Sequence, residues 1–315
     1  MTRLADGPDG NPQIAGQSDS DRKGDSTLES LLAEPFQILR PQVQTLPFVF
    51  ASGHSGRRYP QSLIAQSRLD PLTLRRSEDA FVDELFAGVV GLGAPMIAAL
   101  FPRAYCDVNR GIGELDAGMF DAALELNIDT PSPRVAAGLG VIPRIVRDGA
   151  EIYAGKLSPQ EADLRLSRLY RPYHAALAQL AQDTCDRFGI AVVVDCHSMP
   201  SALSVPDIVL GDRYGASAPP LLTGWVENAF VGARFSVARN APYAGGYTTI
   251  RYGRGQCGLF SLQVEINRGL YLDEDRVRPK AGFPALKKRL TDVLMRLTAI
   301  DPSLLGGRAL PLAAE

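Results

Sequence analysis

The chain of 315 residues holds only three histidines, His54, His174 and His197, so chemistry that needs imidazole has few places to go. His54 sits in SGHSGRRYP, where Ser52, Gly53, Ser55 and Gly56 let the backbone come close to a ligand. His197 follows five apolar residues in IAVVVDCHSMPS, and Glu265 lies near the end of a second apolar run, LFSLQVEI. With the acids Glu78 and Asp79, these residue types suit a catalytic zinc, which takes three ligands from His and Asp/Glu and keeps a fourth position for water. The metal lowers the pKa of that water, and a neighbouring carboxylate takes its proton; Glu265 is the candidate. Between Val264 and Ile266, a carboxylate carries a large burial cost unless a partner or a metal offsets it. Arg57, Arg110 or Arg268 could grip a substrate carboxylate through paired hydrogen bonds.

Each residue also has an ordinary structural use. A histidine after a strand often serves as a hydrogen-bonded structural group. Glu78 and Asp79, after Ser77, would complement the dipole at a helix start, and His174, on a helical stretch, reads as a packing residue. No HExxH or H-x-x-E spacing occurs in the chain.

The runs at 46–51 (LPFVFA), 190–194 and 259–266 read as buried strands, since short β-branched runs between turn residues mark the interior of a parallel sheet. Open α/β sheets bind ligands just outside the carboxyl ends of their strands, where His54, His197 and Glu265 fall. Shorter extended segments are expected over 95–101, 104–108, 135–146, 206–210 and 235–239. A helix is expected to start at Ser77, with Phe81, Leu85, Phe86 and Val89 at helical spacing. Others are expected over 158–187, where Pro172 should kink or interrupt it, and over 221–231 and 284–297. Residues 240–253 (NAPYAGGYTTIRYG) read as a pliable loop with aromatic walls. The class is α/β. Residues 1–40, rich in Asp, Gly, Ser and Pro, read as a disordered tail, 41–305 as one domain and 306–315 as a short tail.

The formal net charge of -2 offers no case for nucleic acid or an anionic membrane as partner. The chain has neither a spanning apolar run nor a signal-peptide core, so a cytoplasmic enzyme acting on a small molecule is the expectation. Its four cysteines form no CxxC pair, which argues against a zinc ribbon or a disulfide framework. Oligomeric state is not legible.

Six stretches, taken in order, resemble the N-formylglutamate amidohydrolase family: GHSGRRYP at 53–60, SEDAFVDELF at 77–86, RAYCDVNRG at 103–111, RPYHAAL at 171–177, DCHSMP at 195–200 and LQVEINRGLYLDE at 262–274. The resemblance implies a zinc carboxypeptidase-like, three-layer α/β/α fold with a mixed, largely parallel central sheet. It also implies one zinc ion (Zn2+) and hydrolysis of an N-acyl amide on an acidic amino acid. Carried over by position, His54 and His197 look like zinc ligands and Glu265 like the general base. Asn109 and Arg110 resemble the pair that holds a substrate α-carboxylate, with Arg57 and Arg268 as further substrate-binding candidates. Carboxypeptidases place a glutamate three residues after the first histidine, but Arg57 stands there in this chain. In the formylglutamate branch the acid lies on the next helix, so the resemblance implies Asp79 or, second, Glu78 as the acidic ligand. Asp195 is a candidate to orient an imidazole. A zinc carboxypeptidase, another N-acyl amino acid deacylase and a non-catalytic binder of acidic ligands remain open.

Overall fold

The computed structural model describes residues 25–129, 132–146, 149–201, 206–255 and 258–307; most of the expected N-terminal tail, residues 1–24, lies outside these. Strands β1 (Phe36–Leu39), β2 (Phe48–Ser52), β3 (Met96–Ala99), β4 (Ala191–Met199), β5 (Ile208–Gly211), β6 (Val237–Arg239) and β7 (Leu259–Asn267) form one sheet in the order β1-β3-β2-β4-β7-β5-β6. The pairs β2–β3, β2–β4, β4–β7 and β5–β6 are parallel, and β1–β3 and β5–β7 antiparallel. The sheet is thus mixed and largely parallel, as expected.

Helices cover both faces: α1 (Ser26–Ala33), α2 (Val82–Phe86), α3 (Pro159–Arg165), α4 (Arg171–Phe188), α5 (Pro220–Gly232), α6 (Tyr247–Tyr252) and α7 (Phe283–Leu297). Side chains alternate along a strand. Phe48, Phe50, Val192, Val194, Leu262 and Val264 accordingly pack with α2, α5 and α7, while Val49, Ala51, Ile97 and Val193 pack with α1, α3 and α4 on the other face. Burial on both sides is what makes the central strands read as continuous apolar runs. No described helix is long and apolar enough to cross a membrane.

Five local expectations need correcting, the first being the loop expected over 240–253, of which Tyr247–Tyr252 forms the helix α6. Residues 25–40 are not a tail: Asp25 caps α1 by accepting the Leu28 N–H, Leu28 and Leu31 are buried, and β1 pairs with β3. The helix expected from Ser77 begins only at Val82, because Phe81 adopts a left-handed conformation (φ 64°) that turns the chain first. Residues 104–108 form turns. Within 135–146 the chain starts as the end of a short helix, Pro133–Ala136, which Ser132 caps and Pro133 favours at its first turn. The long pattern over 158–187 is realised as α3, a π turn at Leu166–Tyr170, and α4. Pro172 lacks the N–H that would continue the α ladder, and the wider turn just before it absorbs the break.

Two predictions follow from this packing. A Cβ at Gly56 would lie 2.0 Å from the Phe101 carbonyl oxygen, which is backbone and cannot swing away. Gly56→Ala should therefore lower stability by about 1–3 kcal/mol in urea unfolding; an unchanged midpoint would show that the loop has slack. His174 is a satisfied core residue, with Nε2 2.9 Å from the Val108 carbonyl and Nδ1 3.0 Å from the Tyr252 hydroxyl. Burial, aided by Arg251, depresses its pKa from 6.5 to about 4. Between those values the unfolded chain binds the extra proton, so the stabilisation is full above pH 6.5 and is lost as pH falls toward 4. The loss amounts to about 3 kcal/mol. His174→Gln should flatten this acid limb of the stability profile; identical slopes in the two proteins would contradict it.

Candidate metal centre

On the face of β4 and β7 that packs against α3 and α4, the apolar series stops short of the strand ends. After Val193 come Asp195 and His197; Gln263 and Glu265 occupy the same face of β7, in register as Asp195↔Gln263 and His197↔Glu265. The opposite face stays apolar with Cys196, Val264 and Ile266. The polar ends open into a cavity of about 640 Å³. His54 enters it from the loop just beyond β2, where a Cβ on Gly53 would strike Val108 at 2.7 Å. Asp79 enters from the turn before α2: its N–H donates to the His54 carbonyl (3.0 Å), and the Tyr271 hydroxyl donates to the Ala80 carbonyl (2.9 Å).

Both imidazoles turn Nδ1 toward Asp79. Asp79 Oδ2 lies 2.8 Å from His197 Nδ1 and 3.3 Å from His54 Nδ1, and the three candidate ligand atoms all lie within 4.8 Å of one another. The far nitrogens rest on carboxylates, His54 Nε2 at 2.6 Å from Asp107 Oδ1 and His197 Nε2 at 2.9 Å from Asp195 Oδ2. His197 Nδ1 hydrogen-bonds Asp79 Oδ2, and with Nε2–H donating to its carboxylate each Nδ1 would present a lone pair to a cation held between them. His54 Nδ1 is buried without a hydrogen-bond partner, since the 3.3 Å approach to Asp79 lacks the geometry of one. An orphaned buried acceptor is costly, and a cation there would satisfy it. Two imidazole nitrogens and one carboxylate oxygen are the donor set of a catalytic zinc site, so the residues fit such an ion.

The surroundings hold this set rigid. Asn109 accepts the Thr248 N–H on Oδ1 (2.8 Å), donates Nδ2 to Asp195 (3.2 Å) and donates its own N–H to Asp107 (2.9 Å), linking the two carboxylates that orient the imidazoles. Arg103 donates to Asp107 (2.8 Å), and Arg268 donates to Asp79 Oδ1 (2.8 Å) and to the Ser198 hydroxyl (3.1 Å). Burial opposes charge on Asp79, but His197, His54 and Arg268 hold its carboxyl well below the usual range. Burial likewise opposes charge on Asp107, and Arg103, His54 and Arg110 hold that carboxyl low. Glu265 goes the other way: burial pushes its carboxyl up to about 7, and the attraction of His197 and Arg268 does not cancel this while Asp79 and Asp195 repel it. Gln263 Nε2 donates to Glu265 Oε1 (2.9 Å).

Of the residues singled out in the sequence, His54, Asp79 and His197 converge, and Glu265, Asn109, Arg110 and Arg268 line the same cavity. Glu78 turns away, accepting from Arg75 Nε (2.9 Å) and the Tyr59 hydroxyl (2.8 Å), so it does not reach the centre. Arg57 is not among the lining residues; it pairs with Asp83 (3.2 Å) and Glu84 (2.8 Å). Arg268 is committed to Asp79 rather than presented to a ligand. Sequence reasoning missed Asp107, Arg103 and Gln263. Gln263 was within reach, since it stands two positions before Glu265 on the same strand face. Asp107 meets His54 across 53 positions and leaves no local signal.

The sequence model of the N-formylglutamate amidohydrolase family matches residues 46–272 of the chain. The chain belongs to this family. It is an amidohydrolase, and the converging residues from His54 to Arg268 all fall inside the matched span. Over 243 residues it is 26% identical to the N-formylglutamate deformylase of Pseudomonas putida, covering 73% of this chain and 83% of that one. The corresponding deformylase of Pseudomonas aeruginosa is 25% identical over 238 residues, with the same coverage of 73% and 83%. Among solved structures, N-formylglutamate amidohydrolase from Ralstonia eutropha JMP134 matches with a TM-score of 0.79 and 35% identity, over 84% of this chain and 97% of that chain.

Proposed function

We propose that this family member is a zinc-dependent deformylase of N-formyl-L-glutamate or a close N-acyl analogue. The observation that carries the reading is the paired arrangement of His54 and His197, each clamped at Nε2 by a carboxylate and aimed through Nδ1 at Asp79. His54, Asp79 and His197 would hold the ion, which supplies a Lewis acid for the acyl carbonyl and a lowered pKa for water. Glu265 takes the water's proton and returns it to the leaving amine. A carboxyl poised at about 7 suits both halves of that task. Gln263 fixes the Glu265 carboxylate by its hydrogen bond to Oε1. Arg268 and Ser198 hold Asp79 in place. Arg110 orients the substrate α-carboxylate from beside Asn109, whose own amide is held by Thr248 and Asp195; Arg110 spends Nε and Nη1 on the Leu139 and Asn109 carbonyls (both 2.8 Å), which leaves Nη2 for the ligand. The products are a short acid and a free amino acid.

Hydrolysis of N-formyl-L-glutamate, other N-acyl acidic amino acids and short peptides, each with and without chelator, tests this. N-formyl-L-glutamate should be cleaved fastest, with activity lost in chelator and restored by zinc. Full activity in chelator, or a preference for peptides, would overturn it and favour another deacylase or a carboxypeptidase.

A further inference from the structure

One residue reaches both of the carboxylates that hold the converging histidines, and on each it meets the same oxygen as the imidazole. Asp107 Oδ1 lies 2.6 Å from His54 Nε2 and also accepts the Asn109 backbone N–H (2.9 Å). Asp195 Oδ2 lies 2.9 Å from His197 Nε2 and also accepts from Asn109 Nδ2 (3.2 Å). Each ring is therefore set against an oxygen that Asn109 shares.

A third contact decides which end of the Asn109 amide carries the donors. The Thr248 N–H, in the first turn of α6, can only donate, and it points at Oδ1 (2.8 Å). The atom facing Asp195 is then Nδ2, which has hydrogens to give but no lone pair to offer. Nδ2 and His197 Nε2 lie 3.1 Å apart, as two donors converging on one oxygen. The amide has no room to turn, since Asn109 is buried and a Cβ on Gly246 would lie 2.3 Å from Nδ2 and 2.4 Å from Oδ1. A substrate carboxylate brought to Nδ2 would meet the like charge of Asp195. Asn109 stands immediately before Arg110, so spacing alone groups the two as one clamp, and their contacts separate them.

We propose that Asn109 is a positioning residue for the metal centre: it aims one oxygen of Asp107 and one of Asp195 at the two imidazoles, so that both Nδ1 atoms face the ion, and it makes no contact with substrate. The proposal rests on the metal half of the deformylase reading and not on its choice of substrate. Groups one step out from a metal's ligands fix the rotation of each ring, and their loss weakens metal binding about 10- to 100-fold.

The test measures zinc affinity, by competition with a chromophoric chelator, in wild type, Asn109→Asp and Asn109→Ala. Asn109→Asp keeps the shape but sets a second carboxylate against Asp195. Asn109→Ala removes that link and keeps the backbone N–H on Asp107, and it stays readable if the added charge unfolds the other variant. Zinc affinity should fall about 10- to 100-fold in Asn109→Ala and at least as far in Asn109→Asp, while the zinc-saturated variants keep the wild-type KM for N-formyl-L-glutamate. Unchanged affinity with a lowered urea midpoint would mark a merely structural residue and overturn the proposal. Unchanged affinity with a raised KM would make Asn109 a substrate contact and overturn it equally. Wild type that binds no zinc would sink the metal reading and this proposal together. Wild type that binds zinc but leaves N-formyl-L-glutamate intact would sink the substrate alone, and the three zinc affinities would still decide the role of Asn109.

Discussion

Glu265→Gln should lower kcat by about 100- to 10,000-fold while leaving KM and the bound metal close to wild type. Glutamine has the same shape and can still receive the Gln263 N–H on its carbonyl oxygen, so the β7 end should not move. What it lacks is the ability to take a proton and return it. A loss confined to kcat marks an interaction made only on the way to the transition state. Activity within tenfold of wild type, or loss of the metal, would show that Glu265 is not the proton acceptor.

Asp79→Ala should abolish metal-dependent hydrolysis and destabilise the fold, whereas Glu78→Ala should keep the metal. Asp79 is the point where His54 Nδ1, His197 Nδ1 and the Arg268 guanidinium meet. Its removal strands a buried arginine, a change that costs about 3–5 kcal/mol and is read from the denaturation midpoint. Asp79→Asn keeps an oxygen for Arg268, so it separates loss of fold from loss of metal. Among the described residues Glu78 joins Arg75 and Tyr59, and its loss should show as a stability change without a change in metal content. Metal lost from Glu78→Ala and kept in Asp79→Ala would reverse the assignment.

How far the sequence could be read follows from how local each cause is. β4 and β7 were legible because both of their faces are buried and the apolar run ends abruptly at the polar residues. The histidines at the strand mouths and Glu265 followed from that. The choice between Asp79 and Glu78 was not local: it depends on the left-handed turn at Phe81, which a helical spacing of Phe81, Leu85 and Val89 concealed. Arg268 looked like a substrate clamp because a guanidinium suits any carboxylate, and only the fold shows that Asp79 takes it. α1 and β1 were hidden by the polar composition around Leu28 and Leu31, whose burial comes from long-range packing against residues such as Leu63 and Leu166.

The central claim is a single metal held between the two Nδ1 atoms and Asp79, and anomalous diffraction at the zinc edge tests it most directly. Crystals of protein loaded with zinc should show one peak bounded by His54 Nδ1, Asp79 Oδ2 and His197 Nδ1, with both Nε2 atoms still on Asp107 and Asp195. A peak elsewhere, or none between these three atoms at full zinc loading, would contradict it.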